Sequence, residues 1–411
     1  MKKRVLVLNC GTLASTYINM LLKNNNEFEL WGASTYSNHG EYVYKNYIDD
    51  IPNITCDSFL EVLNKKIEMY NFKFIIAPHE DLALYLQKNS DKINAKIVCS
   101  CYETTLLCRY KSRLYKKMID YDFDPIVYKN DVKEFPVFAK KDDDQGARNA
   151  FKVDCYDELV FYNKKYPNMV VTEYLPGEEI TVDCFTNKNG KLLFISPRLA
   201  SRILAGIDVH SVSIKTTDEI EFIAKSLNAE ISFRGYWFFQ IKKDKYGKYK
   251  LLEISTRLAG AFALTRAYDI NLPLMALKDF DGQDVEKYFK NTNKFGVETD
   301  MQFFARYKLD INYENVIIDF ESCFKDGVDE LFMAFIYQCL NNNKKLMLLT
   351  NNEKFAKQKL KRLKIDSSIF EYISENKKDE NCILISNNEN QKSDINSFSI
   401  CNIDSLIDWR K

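Results

Sequence analysis

Short apolar segments alternate with helical patterns over the first hundred residues, and this alternation limits the possible folds more than any other feature. The strand-like segments are Arg4–Leu8, Phe28–Gly32, Phe72–Pro78 and Ile97–Ser100, and the helix-like segments are Thr12–Leu22, Asp57–Met69 and Asp81–Lys88. Strands that are separated by helices form a parallel sheet covered by those helices. A lone Gly11 after the first strand is not a G-x-G-x-x-G pattern, so the sequence does not support dinucleotide binding.

The middle of the chain has a different pattern, because its strands come as hairpins whose tight turns contain glycine. The two hairpins pair Glu179–Thr186 with Lys191–Ser196, and Tyr236–Lys243 with Tyr249–Arg257.

After about Asn315 the alternation returns, which again predicts a parallel sheet. The strand-like segments are Val316–Asp319, Lys345–Thr350 and Cys382–Ser386, and the helix-like segments are Gly327–Asn341 and Glu353–Leu363. The sequence therefore predicts an α/β protein in three parts.

Composition excludes several classes of function. The chain of 411 residues has 58 Lys+Arg and 58 Asp+Glu, so it has no net field that attracts nucleic acid or an anionic membrane. Its apolar runs are far shorter than the ~20 residues of a transmembrane helix, and the first run ends at Asn9, too early for a signal peptide. The eleven cysteines contain no C-x-x-C pair and histidines number only three, which favours a cytoplasmic protein with free thiols and no histidine-rich metal site.

The segment Val171–Asp183 has the pattern of a nucleotide-binding turn. A strand ends at Glu173, the chain turns through Leu175-Pro-Gly177, and a second strand starts at Glu179. Such a turn exposes backbone groups that can read the edge of an adenine, and the Glu179 carboxylate can accept hydrogen bonds from ribose hydroxyls. An ordinary hairpin turn is the alternative interpretation.

Lys140 ends the apolar strand Phe135-Pro-Val-Phe-Ala-Lys140, just before a loop that contains Gly146. A lysine ammonium in this position can bind phosphate oxygens as a point charge. A solvent-exposed lysine at a strand end is the alternative.

The second hairpin predicts a metal site. If Asp244 lies opposite Tyr249, then Gln240 lies opposite Glu253, with their Cβ atoms roughly 5 Å apart. Side chains repeat every two residues along a strand, so Ser255 and Arg257 share the face of Glu253. Oxygen ligands combined with substrate phosphates suit Mg²⁺. A solvated polar face is the alternative, and the neighbouring aromatic residues favour a buried sheet.

Together these motifs resemble the ATP-grasp superfamily over roughly residues 1–310, with closest similarity to carbamoyl-phosphate synthase and to the amino-acid ligase of pyrrolysine biosynthesis. The segment Ala77-Pro-His-Glu-Asp81 also resembles the pre-ATP-grasp domain. The resemblance implies a Rossmann-like pre-ATP-grasp domain at 1–109 and an ATP-grasp catalytic domain of two α+β subdomains at 110–310, with ATP bound between the subdomains.

The resemblance also implies the role of each site residue. These are Lys111 and Lys140 for the ATP phosphates; Glu173, Tyr174 and Leu175 for adenine; Glu179 for ribose; Gln240, Glu253 and Ser255 for Mg²⁺; Arg257 for the transferring phosphoryl group; and Arg198 and Arg202 for the carboxylate substrate.

Two departures from the family pattern stand out. Ser255 replaces an asparagine, which weakens the second metal position, and the phosphate loop contains Asp142-Asp-Asp144 where glycine and serine are usual. The sequence gives no role for these three carboxylates.

The C-terminal part, 311–411, resembles the haloacid-dehalogenase superfamily. Asp319 follows a buried strand where that family has its nucleophile, Glu321 matches the second acid, and Thr350 matches the phosphate-binding threonine. Lys361 or Lys364 is the candidate third-motif lysine. The fourth motif is degenerate in Ile385-Ser-Asn-Asn-Glu389, so this domain is either a working phosphatase or only retains the fold.

The sequence therefore predicts an ATP- and Mg²⁺-dependent ligase that activates a small carboxylate as an acyl phosphate and joins it to an amine. A homodimer is expected by analogy. The alternatives are a carboxylate kinase or carbamoyl-phosphate-type synthase, a bifunctional ligase–phosphatase, and a non-catalytic nucleotide-binding regulator. The sequence identifies neither the carboxylate nor the amine.

Overall fold

The protein divides into two compact units. The computed structural model describes residues 2–23, 25–36, 38, 40–129, 131–146, 148–204, 207–289, 296–301, 305–309, 311–325, 327–375, 381–388 and 396–407. Unit 1 comprises Met1–Phe262 and Leu272–Lys290, and unit 2 comprises Ala263–Asn271 and Asn291–Lys411. The three-domain division at 1–109, 110–310 and 311–411 stays a prediction.

Unit 1 starts with a parallel sheet in the order β3-β2-β1-β4-β5, as the alternating pattern predicts. Its strands are β1 (Lys3–Leu8), β2 (Phe28–Ala33), β3 (Asn46–Ile48), β4 (Phe72–Ile76) and β5 (Lys96–Ile97), and its helices are α1 (Leu13–Leu22), α2 (Gly40–Val43), α3 (Phe59–Tyr70) and α4 (Glu80–Lys88), followed by a 3-10 turn at Ser90–Lys92. The sequence did not predict β3 and α2, which are too short to show a period.

Local hydrogen bonds explain where these helices begin and end. The Thr12 hydroxyl accepts a hydrogen bond from the Ser15 backbone N–H at 3.2 Å, so it caps the start of α1. Asn71 adopts a left-handed conformation, with φ 55°, and ends α3 just before β4.

The rest of unit 1 contains two antiparallel sheets, in the orders β6-β9-β7-β8 and β14-β13-β10-β11-β12. The strands are β6 (Val127–Tyr128), β7 (Val137–Lys141), β8 (Ala150–Val153), β9 (Met169–Glu173), β10 (Glu179–Thr186), β11 (Leu192–Leu204), β12 (Ile207–Ser213), β13 (Gly235–Lys243) and β14 (Tyr249–Ser255). The helices are α5 (Tyr102–Arg109), α6 (Lys111–Met118), α7 (Tyr156–Lys165), α8 (Asp218–Glu230) and α9 (Leu272–Phe280), with a 3-10 turn at Glu286–Phe289.

The main core of unit 1 lies where α6 and α8 pack on the larger sheet. Leu114 of α6, Ile223 and Leu227 of α8, and Trp237 and Phe239 of β13 are all almost fully buried in one cluster. This packing fixes α6 against β13 and β14, the strands that carry the predicted metal ligands.

Unit 2 is built on a second parallel sheet, in the order β19-β18-β17-β20-β21, together with the antiparallel hairpin β15–β16. The strands are β15 (Glu298–Met301), β16 (Ala305–Lys308), β17 (Asn315–Asp319), β18 (Lys345–Leu349), β19 (Glu371–Ile373), β20 (Cys382–Ile385) and β21 (Ser397–Phe398). The helices are α10 (Phe320–Cys323), α11 (Glu330–Asn341) and α12 (Glu353–Arg362), with 3-10 turns at Ser367–Ile369 and Ile400–Leu406.

The segment Ala263–Asn271 belongs to unit 2 although it follows β14 in the sequence, and a 3-10 helix at Phe262–Tyr268 occupies most of it. The buried Arg266 side chain donates to Asn402 Oδ1 at 3.0 Å and to Asp404 Oδ2 at 2.9 Å. A buried ion pair thus ties this segment into unit 2.

All eleven cysteines lie in the described ranges and are free thiols. Across the part of the chain that the structure describes, no helix combines the length and the apolar character needed to cross a membrane.

Candidate functional site

Two buried lysines and one glutamate come together in unit 1. Lys111 is the first residue of α6 and Lys140 lies in β7, and both are less than a tenth exposed. Lys111 Nζ lies 3.9 Å from Glu253 Oε2 on β14. Three separate elements therefore place two cations beside one carboxylate, which is an arrangement suited to a phosphate chain and a metal ion.

The Lys140 ammonium is held by uncharged groups. Its Nζ lies 2.6 Å from the Tyr115 hydroxyl and 3.3 Å from the Leu252 carbonyl oxygen, and the Tyr115 hydroxyl also donates to that oxygen at 2.6 Å. Burial, reinforced by the charge of Lys111, lowers the pKa of Lys140 to about 7. Tyr115 was not among the predicted site residues, because a tyrosine on a helix shows no pattern before its partner is known.

A β-bulge explains why the Leu252 carbonyl oxygen can accept hydrogen bonds from Tyr115 and Lys140. Lys243 pairs with Tyr249 near the turn, so the predicted pairing of Asp244 with Tyr249 is wrong. The register shifts between Gln240 and Ile241, which inserts Leu252 as the extra residue and restores Gln240 opposite Glu253. The predicted Gln240–Glu253 pair is therefore confirmed.

The Gln240–Glu253 pair has the chemistry of a magnesium site. Burial raises the pKa of Glu253 and the nearby Glu80 carboxylate adds to this effect, while Lys111 opposes it. A divalent cation would favour the ionised carboxylate, so the donor set fits Mg²⁺. No three acidic, histidine or cysteine side chains of the described residues cluster to hold a metal by themselves, and substrate phosphate oxygens would complete the coordination.

Glu80 is a site residue that the sequence analysis missed. It begins α4, and its Oε1 accepts a hydrogen bond from the Ser255 hydroxyl at 2.6 Å and lies 3.3 Å from Arg257 Nε. Ser255 and Arg257 thus contact a carboxylate at the start of α4, the helix that follows strand β4 of the first sheet. The position of Glu80 after β4, at the carboxyl end of a parallel strand, was the available signal.

The acidic loop after β7 binds the start of α6. The Asp142 carboxylate accepts hydrogen bonds at 2.7 Å from both the backbone N–H and the hydroxyl of Ser112, so it caps this helix from outside. Lys111 Nζ donates to the Asp144 carbonyl oxygen at 2.8 Å, and Arg109 donates to the Asp143 carbonyl oxygen. These contacts give the loop the structural role that the sequence left open.

The predicted adenine-binding turn joins two different sheets, because β9 pairs with β6 and β7 whereas β10 pairs with β11 and β13. An ordinary hairpin is therefore excluded. Gly177 N donates to the Lys243 carbonyl oxygen at 3.0 Å, and a Cβ on Gly177 would lie 2.5 Å from the Lys243 Cβ. Only glycine fits this close approach.

The predicted nucleotide-binding residues of this turn have the following surroundings. Glu173 Oε1 accepts a hydrogen bond from Ile126 N at 2.9 Å, and Lys152 Nζ lies 5.4 Å from the centre of the Tyr174 ring. Leu175 is buried. The exposed Glu179 forms an ion pair with Lys242 at 3.3 Å.

Arg198 does not fit its predicted role in binding the carboxylate substrate. It is 1% exposed, and its guanidinium contacts the carboxylates of both Asp183 and Asp208 and the Ser211 hydroxyl. Two carboxylates already satisfy this cation, so it stabilises the sheet. Arg202 is exposed and lies opposite His210 in the β11–β12 pair.

In unit 2 the residues that resemble the haloacid-dehalogenase motifs meet at the carboxyl ends of β17, β18 and β20. Asp319 Oδ2 accepts a hydrogen bond from the Ser386 hydroxyl at 2.7 Å, and the Thr350 hydroxyl donates to Glu321 Oε1 at 2.7 Å. Adjacent parallel strands explain this meeting. Ser386 occupies the end of β20, where the resemblance would place acidic ligands.

Neither predicted third-motif lysine is buried, since Lys361 and Lys364 are both exposed. A different lysine of α12 reaches the segment that follows Asp319: Lys359 Nζ donates to the Lys325 carbonyl oxygen at 2.9 Å. Glu389, named with the fourth motif, lies outside the described residues.

Comparison with known proteins identifies the fold. Residues 165–302 match a family model described as ATP-grasp in the biosynthetic pathway with Ter operon. A sequence comparison with curated proteins found no match.

Several solved structures are similar to this chain at 14% identity or less. The biotin carboxylase domain dimer of Hydrogenobacter thermophilus 2-oxoglutarate carboxylase, in complex with MgADP, ADP and bicarbonate, matches with a TM-score of 0.61 and 14% identity, over 73% of this chain and 74% of that chain. An L-amino acid ligase from Bacillus licheniformis matches with a TM-score of 0.59 and 13% identity, over 72% and 79%. The N5-carboxyaminoimidazole synthetase of Staphylococcus aureus with ADP matches with a TM-score of 0.57 and 14% identity, over 69% and 79%. The chain therefore has the ATP-grasp fold.

Proposed function

We propose that this chain, which has the ATP-grasp fold, is an ATP-dependent carboxylate–amine ligase that uses Mg²⁺. The observation that carries the proposal is the convergence of Lys111, Lys140 and Glu253 from three elements. ATP and a carboxylate substrate are both anionic, so their approach needs cations that neutralise and orient them. The ligase and the synthetase named above, which share this fold, support the choice of reaction.

The predicted nucleotide-binding residues and Arg257 each have a place in the proposed reaction. Lys111 and Lys140 bind the ATP phosphates while the turn at Glu173–Leu175 binds adenine and Glu179 binds ribose. The substrate carboxylate oxygen attacks the γ-phosphorus, ADP leaves, and Arg257 holds the transferred phosphoryl group. An amine then attacks the carbonyl carbon of the acyl phosphate. A C–N bond forms, the C–O bond to phosphate breaks, and phosphate leaves with the proton that the amine loses.

Gln240 and Glu253 would hold Mg²⁺, with Ser255 beside them. The cation would supply positive charge that stabilises the phosphoryl oxygens during transfer. A homodimer is part of the proposal, supported by the dimer of the biotin carboxylase domain named above.

The test is phosphate release from Mg-ATP across a panel of amino acids, dipeptides and sugar acids, with and without hydroxylamine. Hydroxylamine traps an acyl phosphate as a hydroxamate. We expect one acid–amine pair to stimulate release and Glu253→Ala to abolish it. Glu221→Ala is the matched control, because Glu221 is a half-exposed carboxylate in an ion pair with Lys225 on α8, outside the predicted site.

The outcomes separate the alternatives. ADP formation from a carboxylate alone, with the acyl phosphate as the released product, would identify a carboxylate kinase. ATP binding without turnover of any pair would indicate a regulator and contradict the ligase.

A second candidate function is phosphoryl transfer by a haloacid-dehalogenase-like unit 2. The contacts of Asp319 with Ser386 and of Thr350 with Glu321 favour it, because they bring three motifs to one edge of the sheet. Hydrolysis of p-nitrophenyl phosphate with Mg²⁺ tests it. We expect Asp319→Asn to abolish hydrolysis and Asp366→Asn, at the start of a 3-10 turn, to retain it. Equal rates in the two variants would contradict this activity.

A further inference from the structure

A cavity of about 250 Å³ lies in unit 1 at the carboxyl end of the first parallel sheet. Its walls include the residues that follow three strands: Asn9 after β1, Ser34 and Thr35 after β2, and His79 and Asp81 after β4. The strand order reverses here, since β1 pairs with β2 on one side and with β4 on the other. Ligands of open α/β sheets bind at such a switch point.

Part of the cavity wall is apolar, formed by side chains such as Ile51, Ile54, Phe59 and Leu82. The residues that follow β1 and β2 add uncharged hydrogen-bonding groups. Of the described residues in the lining, Asp81 is an acid and none is lysine or arginine. Asp81 Oδ1 is already paired with Arg109, so an anionic ligand finds no lining cation to pair with here. A ligand nitrogen that donates hydrogen bonds finds acceptors in the lining.

His79 is a further hydrogen-bond acceptor in the lining of the cavity. Burial lowers the pKa of His79, and the guanidinium groups of Arg257 and Arg109 act in the same direction. The carboxylates of Asp81 and Glu80 oppose this shift. The lowered pKa favours the neutral imidazole, which can accept a hydrogen bond from a nitrogen.

The cavity is next to the residues of the proposed acyl transfer. His79 and Asp81 flank Glu80, whose carboxylate contacts Ser255 and Arg257. Asp81 Oδ1 also pairs with Arg109 at 2.7 Å, and Arg109 donates to the acidic loop. A ligand in the cavity would thus lie one residue from a direct contact of Arg257.

We propose that this cavity binds the amine substrate, and that this amine is small, with an apolar body and without a carboxylate or phosphate group. The inference rests on the proposed ligase function. The ammonium or amine nitrogen lies at Asp81 and His79, and the apolar body packs against Ile54 and Phe59.

The test measures binding of leucinamide to the full chain by titration calorimetry, with leucine, which has a carboxylate in place of the amide, as the counterpart. Ile54→Trp fills the apolar wall of the cavity, and Glu61→Trp adds the same side chain at an exposed site on α3. We expect leucinamide to bind the parent chain and Glu61→Trp alike, and Ile54→Trp at least about tenfold more weakly, which is ~1.4 kcal/mol. Leucine is expected to bind more weakly than leucinamide.

Two further measurements keep the result clear. ATP affinity is measured in each variant as a check of folding, and Thr35→Met replaces Ile54→Trp if that variant fails to bind ATP. Hydroxylamine reacts without needing the cavity, so its hydroxamate reports acyl phosphate formation separately. Absence of hydroxamate would count against the ligase alone. Leucinamide binding that is unaffected by filling the cavity, or equal affinity for leucine, would overturn the amine site.

Discussion

Lys140 is a buried cation whose charge depends on what lies beside it. Its pKa is lowered to about 7 by burial and by Lys111, whereas the carboxylates of Glu253 and Glu179 favour the charged form. Above pH 7 the lysine is therefore mostly neutral, and below pH 7 it is mostly protonated. A triphosphate would add negative charge and raise the pKa, so nucleotide binding and protonation are coupled.

We predict that ATP binding at pH 8 takes up about one proton and that this uptake disappears at pH 6, where Lys140 is already protonated. Calorimetry in buffers of different ionisation enthalpy measures the uptake. Lys140→Arg is the control, because arginine stays protonated throughout this range. Uptake that is the same in the variant would show that another group is responsible.

Arg198 illustrates the opposite case, a buried cation already satisfied by protein. Replacing it in Arg198→Met leaves Asp183 and Asp208 without their counter-charge, and we expect a loss of ~3–5 kcal/mol in the free energy of unfolding. The exposed Arg202, changed to Met, should cost only about 0.5 kcal/mol. Urea denaturation compares the two variants, and a small loss in both would mean that Arg198 is not structural.

At the scale of elements, the turn between β9 and β10 is the covalent link between the two antiparallel sheets of unit 1. Its conformation depends on the contact of Gly177 with Lys243, where a side chain has no room. This turn is the segment proposed to bind adenine, so its backbone position should determine nucleotide affinity.

We predict that Gly177→Ala weakens ATP binding by about tenfold or more, because overpacking of this kind costs ~1–3 kcal/mol. The control is Gly190→Ala, in the β10–β11 turn, where φ is +77° and nothing lies within 4 Å of the added Cβ. That variant should lose stability through backbone strain and keep its ATP affinity. Fluorescent-nucleotide binding measures both, and equal affinities would exclude the turn from the nucleotide site.

Periodicity was enough to predict most of these elements but not their exceptions. The longer parallel strands of both units and the two hairpins have clear patterns, and Gln240 lies opposite Glu253 as expected. The bulge at Leu252 was not predictable. Near the turn Tyr249 pairs with Lys243 and not with Asp244, and the extra residue Leu252 compensates for this difference of one residue. Glu80 was missed since its partners, Ser255 and Arg257, are distant in sequence and only the fold brings them together.

At the scale of the whole molecule, the division into units does not follow the sequence. A single pattern-based boundary near residue 311 cannot reveal that Ala263–Asn271 belongs to unit 2. The tie is the buried ion pair of Arg266 with Asp404, which is 4% exposed. Sequence periodicity carries no information on such a pair, because its partners are separated by more than a hundred residues.

We predict that Arg266→Met loosens unit 2 and leaves unit 1 intact, because it leaves the Asp404 carboxylate buried without its cation. A cost of about 3 kcal/mol corresponds to amide exchange on the order of a hundredfold faster in β17 and β18. Hydrogen exchange followed by mass spectrometry measures this strand by strand. The reciprocal control is Arg234→Met, which leaves the fully buried Asp279 without its ion pair and should speed exchange in β13 instead. Equal acceleration in β13 and β17 by both variants would show that the two units open as one, and the segment 263–271 would then have no special tie to unit 2.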